Sequence, residues 1–132
     1  MAVLKVINQF TNTFKGTMIA KRGTVAIGSE EGTVAPYDML FGALASCMYS
    51  TFLDIMEKKK VPFEAVDVEI SGEKRTTIPM TLEWVTVKFV VKGAPEDKHK
   101  AFQQALDLAA KYCSIYQTIA HVAEMKTEIE FS

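Results

Sequence analysis

No residue between Asp38 and Asp54 carries a charge, and this stretch lies within a longer segment, PYDMLFGALASCMYSTFLDIMEKKK over 36–60, whose two ends both read as helix ends. Pro36 suits the first helical position, Asp38 complements the positive end of the helix dipole, and Lys58, Lys59 and Lys60 complement the negative end. A helix that is apolar or small on every face is expected to be buried nearly all round. It is short for a membrane span: the uncharged run over 39–53 falls below the roughly 18 apolar residues required, and Ser46, Ser50 and Thr51 interrupt it. A chain of 132 residues covers such a helix poorly by itself, so an intertwined homodimer with this helix at its centre is expected. Gly42, Ala43, Ala45 and Ser46, just before Cys47, allow another element to approach closely.

The length predicts one domain over 1–132, with 48% hydrophobic and 23% charged residues, both ordinary for a folded protein. A net charge of -1 gives no support to a nucleic-acid footprint or an anionic-membrane patch. The opening MAVLKVINQF lacks a basic n-region and a long apolar h-region, which predicts no secretory signal and a cytoplasmic protein. Strands are predicted over 3–10, 14–20, 24–27, 66–71, 82–92 and 124–131 from β-branched and aromatic content and alternation. In the fifth, Val85, Val87, Phe89 and Val91 share a face. Pro95 opens a second helix in which Phe102, Leu106, Ala109 and Cys113 continue one buried stripe. The string SIYQ then fits a capping box, with Ser114 as N-cap of a short third helix and Gln117 reaching back. The order predicts an α+β domain with an antiparallel sheet and a long central helix.

Two cysteines in a chain expected in the cytoplasm read as inert core thiols, a metal site or a redox pair. A thiol reacts as thiolate, and its pKa falls beside a helix N-terminus or a cation and rises in apolar surroundings. By that rule Cys113, next to the start of the third helix, has the favoured position. Cys47 lies inside a helix with no cationic neighbour in sequence, and it reads as the inert one. Yet both thiols, 66 positions apart, fall on buried faces of the two substantial helices, and helices covering one sheet can bring them within disulfide reach.

The strings APYDMLFGALASCMYSTFLDIMEKKKV and AAKYCSIYQTIA resemble the OsmC/Ohr family of thiol-dependent hydroperoxide reductases, whose pattern is a proline-headed helix with an alanine-rich stretch and a cysteine, and a second cysteine starting a later helix. The resemblance implies the OsmC-like fold, an interlocked homodimer with the thiols near the subunit boundary, and no cofactor. It matches Cys47 to the peroxidatic and Cys113 to the resolving position, with a peroxide substrate and an external dithiol reductant. Two departures stand out. The glutamate that follows the helix-opening proline in active reductases, and holds an arginine against the thiolate, is Tyr37 here, with the acid one position later at Asp38. The proline that commonly follows the second cysteine is Ser114. This pattern resembles an OsmC-like branch that keeps both thiols without the glutamate. Arg22 or a lysine of the partner chain, held by Asp38, or the Tyr37 hydroxyl are the candidate substitutes for the activator, and Tyr116 is a candidate pocket hydroxyl. Without the arginine, Cys47 is expected to stay mostly protonated at neutral pH.

The competing function is a binding module for a small apolar or acyl ligand in the dimer-interface pocket, walled by Met39, Met48, Met56, Phe41, Tyr49 and Phe52, which otherwise read as core. His99 reads as a solvated surface residue. A zinc site of Cys47, Cys113 and His121 lacks the close ligand spacing of known zinc motifs, so no metal is expected.

Overall fold

A computed structural model describes residues 2–132, which divide into two compact units, one ending at Leu40 and the other spanning Phe41–Ser132. The first holds an antiparallel sheet of β1 (Ile7–Phe10), β2 (Lys15–Ala20) and β3 (Gly23–Gly28), in the order β1-β2-β3. Phe10 pairs with Gly16 across the first two strands, and a side chain at Gly16 would collide with the Phe10 ring and the Gln9 carbonyl, so this close crossing requires glycine. Within the chain, Ile7, Phe10, Phe14 and Ile19 stay exposed.

Helix α1, Pro36–Lys59, begins as predicted. The Asp38 carboxylate accepts the Ala35 N–H at 2.8 Å, the back-reaching half of a capping box, and the Met39 N–H bonds the Ala35 carbonyl. Lys60 takes the left-handed conformation (φ 57°), and the Val61 N–H closes on the Met56 carbonyl across the helix end. Ser46 and Thr51 return their hydroxyls to the carbonyls of Gly42 and Cys47 one turn back, which satisfies them within an apolar helix.

The second unit is built on β4 (Ala65–Lys74), β5 (Leu82–Lys92) and β6 (Glu124–Phe131), with β5 in the centre. Between β5 and β6 run a single 3-10 turn, Glu96–Lys98, then α2 (His99–Tyr112) and α3 (Ser114–Ala120). The α+β class holds, as two three-stranded sheets and three helices. The sheet is antiparallel at β4–β5 and parallel at β5–β6, because the helical crossover returns the chain to the end from which β5 starts.

Val85, Val87, Phe89 and Val91 are fully buried on one face of β5, as their alternation predicts. Phe52 of α1 lies between that face and α2, its ring 4.9 Å from Phe89 and 6.3 Å from Phe102, with Phe63 at 6.0 Å. Both helices therefore cover one side of the sheet. The burial of α1 is narrower than the sequence suggests: only the i, i+4 stripe of Leu44, Met48, Phe52 and Met56 is fully enclosed. By length and composition α1 would also serve as a membrane span, with a window of mean hydropathy 1.4, but here its buried stripe is the centre of a folded core. Truncating Phe52 to Ala is expected to cost about 3–5 kcal/mol. Urea unfolding followed by circular dichroism should show a lower midpoint at unchanged slope, and a loss under about 1 kcal/mol would refute the central place given to this ring.

Candidate functional site: two thiols at the start of a short helix

Helix α2 ends where its buried stripe reaches Cys113. Phe102, Leu106 and Ala109 have no exposed surface, Cys113 has 1%, and the Cys113 N–H makes the last α2 bond to the Ala109 carbonyl at 2.8 Å. The backbone then turns extended at Cys113 (φ −70°, ψ 116°), and α3 restarts at once with the Gln117 N–H on the Cys113 carbonyl. A new helix leaves the N–H groups of its first turn without backbone partners. Here these are the donors of Ser114, Ile115 and Tyr116.

One of them is taken by a sulfur. The Tyr116 N–H donates to Cys113 Sγ at 3.4 Å, so Cys113 is the N-cap of α3. The N–H groups of Ser114 and Ile115, the Ser114 hydroxyl and the Cys113 thiol act on Cys47, brought in by α1. The predicted capping box is thereby corrected. Ser114 is the first helical residue, and the Gln117 side chain donates to the Ala110 carbonyl at 2.8 Å instead of reaching back. A sulfur displaces a hydroxyl from the cap because the buried stripe of α2 places Cys113 where the first-turn donors point.

Electrostatics correct a second expectation. Partial burial by itself pushes the Cys47 thiol up, but donation from Cys113, Ile115 and Ser114 outweighs it and leaves the thiol below its ordinary range. Cys113 moves the other way, to about 11, because burial, its donation to Cys47 and the charge on Cys47 exceed what the Tyr116 and Ile115 N–H groups return. Cys47 is thus the more easily ionised of the two thiols, the reverse of the reading from sequence neighbours. The difference arises because the donors to Cys47 come from residues 66 and more positions away. Ser114 was visible in the sequence as a helix cap and as a departure from proline, not as a neighbour of Cys47; it and Ile115 are the contributors to the site that sequence reasoning missed.

The other candidates are placed as follows. Tyr116 is nearly buried, and burial raises its phenol, which stays neutral. Arg22 lies in the exposed turn between β2 and β3. Tyr37 is in the first turn of α1, and the Asp38 carboxylate is committed to the Ala35 N–H. His99 differs from a merely solvated residue: its ring stacks on Phe131 at 3.6 Å. His121 caps the C-terminus of α3, and among the described residues no group of three or more His, Cys, Asp or Glu could hold a metal ion. Met48, Met56 and Phe52 are core.

Two expectations follow for the free thiols. At pH 8, limiting iodoacetamide should label Cys47 and leave Cys113 intact, read by peptide mass; equal labelling would contradict the assigned order. The pH midpoint of Cys47 alkylation should lie below the free-thiol value of about 8.5 and rise in Cys113→Ala, which deletes a donor, more than in Cys113→Ser, which keeps one.

Residues 28–128 match the family described as OsmC-like protein. Protein YhfA of Escherichia coli (strain K12) is 28% identical over 82 residues, 61% of this chain and 60% of that protein, so the chain spans about three fifths of the length of the curated relatives it matches. A hypothetical protein from Aquifex aeolicus VF5 superposes with a TM-score of 0.86 at 24% identity, over 100% of this chain and 98% of that one. The organic hydroperoxide resistance protein OhrB of Bacillus subtilis superposes with a TM-score of 0.68 at 16% identity, over 98% of each. At these identities the structural likeness is one of fold. With the family match spanning most of its length, and with the proline-headed helix, the paired thiols and this architecture, the chain belongs to the OsmC-like protein family.

Proposed function

We propose that the protein is a thiol-dependent hydroperoxide reductase in which Cys47 attacks and Cys113 resolves. The observation that carries this reading is the pairing of two free thiols, Cys113 at the N-cap of α3 and Cys47 of α1 beside it, in surroundings that lower the one at Cys47 and raise the one at Cys113. In the first step the Cys47 thiolate attacks the terminal peroxide oxygen, the O–O bond breaks, and Cys47 becomes a sulfenic acid while the departing alkoxide takes a proton to give the alcohol. Cys113 then displaces the sulfenic oxygen as water, forming the Cys47–Cys113 disulfide. An external dithiol reduces that bond, being itself oxidised to a disulfide. The opposed shifts order these events. The negative charge on Cys47 is among the causes that hold Cys113 protonated, and oxidation of Cys47 removes that charge. Cys113 is therefore easier to ionise once there is a sulfenic acid for it to attack. Recycling through free thiols suits a reducing compartment such as the cytoplasm.

The reading includes a homodimer. Its support is the single enclosed stripe on an otherwise apolar α1 and the uncovered Ile7, Phe10, Phe14 and Ile19, surfaces that a second copy would take from water. Sedimentation at micromolar concentration should give a dimer; a monomer with native circular dichroism would argue against it.

The functional test is hydroperoxide-dependent oxidation of a dithiol, with loss of activity in Cys47→Ser and accumulation of a trappable Cys47 sulfenic acid in Cys113→Ser. One equivalent of organic hydroperoxide should link Cys47 to Cys113 within a chain, as mapped by peptide mass. A binding role has one observation in its favour, an open groove of about 580 Å³ whose walls include Tyr49, Leu53, Met56, Val61 and Phe63. Absent turnover together with an apolar ligand carried through purification would favour that role.

A further inference from the structure

We propose that the solvent face of the second sheet is a docking surface for a protein partner, and that a recess beside Trp84 takes an arginine side chain of that partner. The recess has a volume of about 370 Å³ and is lined by Trp84 and Thr86 of β5 and by Glu124, Lys126 and Glu128 of β6. Strand alternation puts these residues on the side of the sheet away from the core, since Val85, Val87, Phe89 and Val91 take the other side. The helices that bring in the thiols cover that other side through Phe52 and Phe102, so this surface is separate from the thiol site.

An ordinary solvated sheet face neutralises itself across its strands. Away from the recess this one does so: Lys88 reaches Glu69 at 3.9 Å and Glu130 at 3.4 Å, and Lys92 holds Asp67 at 3.0 Å. At the recess the pattern stops. Glu128 is the register partner of Lys88, yet the ammonium goes to Glu130, and Glu124 lies opposite Trp84, which has no charge to offer. Among the described residues Glu124 and Glu128 make no ion pair, and Lys126 between them offsets one carboxylate of the two. Charge complementarity therefore calls for a cation. The indole narrows its kind. Trp84 has one donor, and its N–H is given to Glu73 at 3.0 Å, which anchors the ring and leaves it only π surface to present to the recess. A guanidinium stacks flat on such a surface while its N–H fork engages a carboxylate, whereas an ammonium has no plane to stack. A free guanidinium would gain one exposed stacking contact and one exposed ion pair, which hold it only at about millimolar concentration. The recess therefore suits a side chain delivered by a partner surface that adds contacts of its own, and arginine against tryptophan is a pairing on which interface energy concentrates.

The test uses the full chain, with Trp84, its single tryptophan, as the reporter. A capped peptide of Arg-Gly repeats is titrated at low salt and followed by indole fluorescence and calorimetry. Two controls run beside it: the same peptide with citrulline, which keeps the shape without the charge, and free N-acetylarginine amide. The arginine peptide should saturate with a Kd below about 0.3 mM, weaken as salt rises, and bind at least about tenfold more tightly than either control. The paired changes Glu124→Gln and Glu128→Gln should weaken it at least about fivefold, whereas Glu96→Gln with Asp97→Asn, which removes as much charge from the turn before α2, should not. Circular dichroism checks that each variant is folded. A citrulline peptide that binds as well, a glutamine pair no weaker than wild type, a control pair that weakens binding as much, or no saturation below about 1 mM would overturn the proposal. So would N-acetylarginine amide matching the peptide, since the recess would then be a small-ligand site and the surface no docking face.

Discussion

The first turn of α3 has a sulfur for its cap, Cys113 accepting the Tyr116 N–H, and the arrangement of the site depends on that bond. A helix start without partners for these N–H groups is costly, and a thiolate without donors is costlier still. Placing a sulfur at the helix start lessens both penalties. The condition is a break between α2 and α3 at Cys113, since a continuous helix would consume the same donors internally. The short helix thus follows from the sulfur chemistry as much as from its own sequence.

The core serves this geometry from a distance. Phe52 locks α1 to Phe89 of the sheet and Phe102 of α2, and Cys47 sits five positions before it on the same helix, beside the enclosed Met48. The stripe that ends in Cys113 is anchored by the same Phe102. Each thiol is therefore fixed by a helix that shares an aromatic cluster with the other, and a densely packed interior leaves little freedom for the two sulfurs to drift apart.

Much of this was legible from residues alone. The long helix, its acidic and basic ends, the alternating face of β5 and the stripe leading to Cys113 are local periodicities, and local periodicity survives folding. What stayed hidden depends on contacts distant in sequence. The parallel β5–β6 pairing needs the crossover to be known as one unit. The identity of the α3 cap needs the position of a buried sulfur, and hydroxyl preference at caps pointed to Ser114 instead. Most of all, the order of the two pKa shifts reversed, because a rule based on sequence neighbours counts the donors beside Cys113 as acting on Cys113, whereas space assigns several of them to Cys47.

The brevity of α3 has a thermal consequence. Seven residues make a helix with almost no stability of its own, so it persists only through the burial of Tyr116 and Ile119. Fraying of that one helix would take from both sulfurs the α3 donors that favour their ionised forms, those of Ile115 and Ser114 from Cys47 and those of Tyr116 and Ile115 from Cys113. Warming the protein short of global unfolding therefore makes both thiols harder to ionise before it loosens the sheet, and the local stability of α3 sets how far their reactivity survives a rise in temperature.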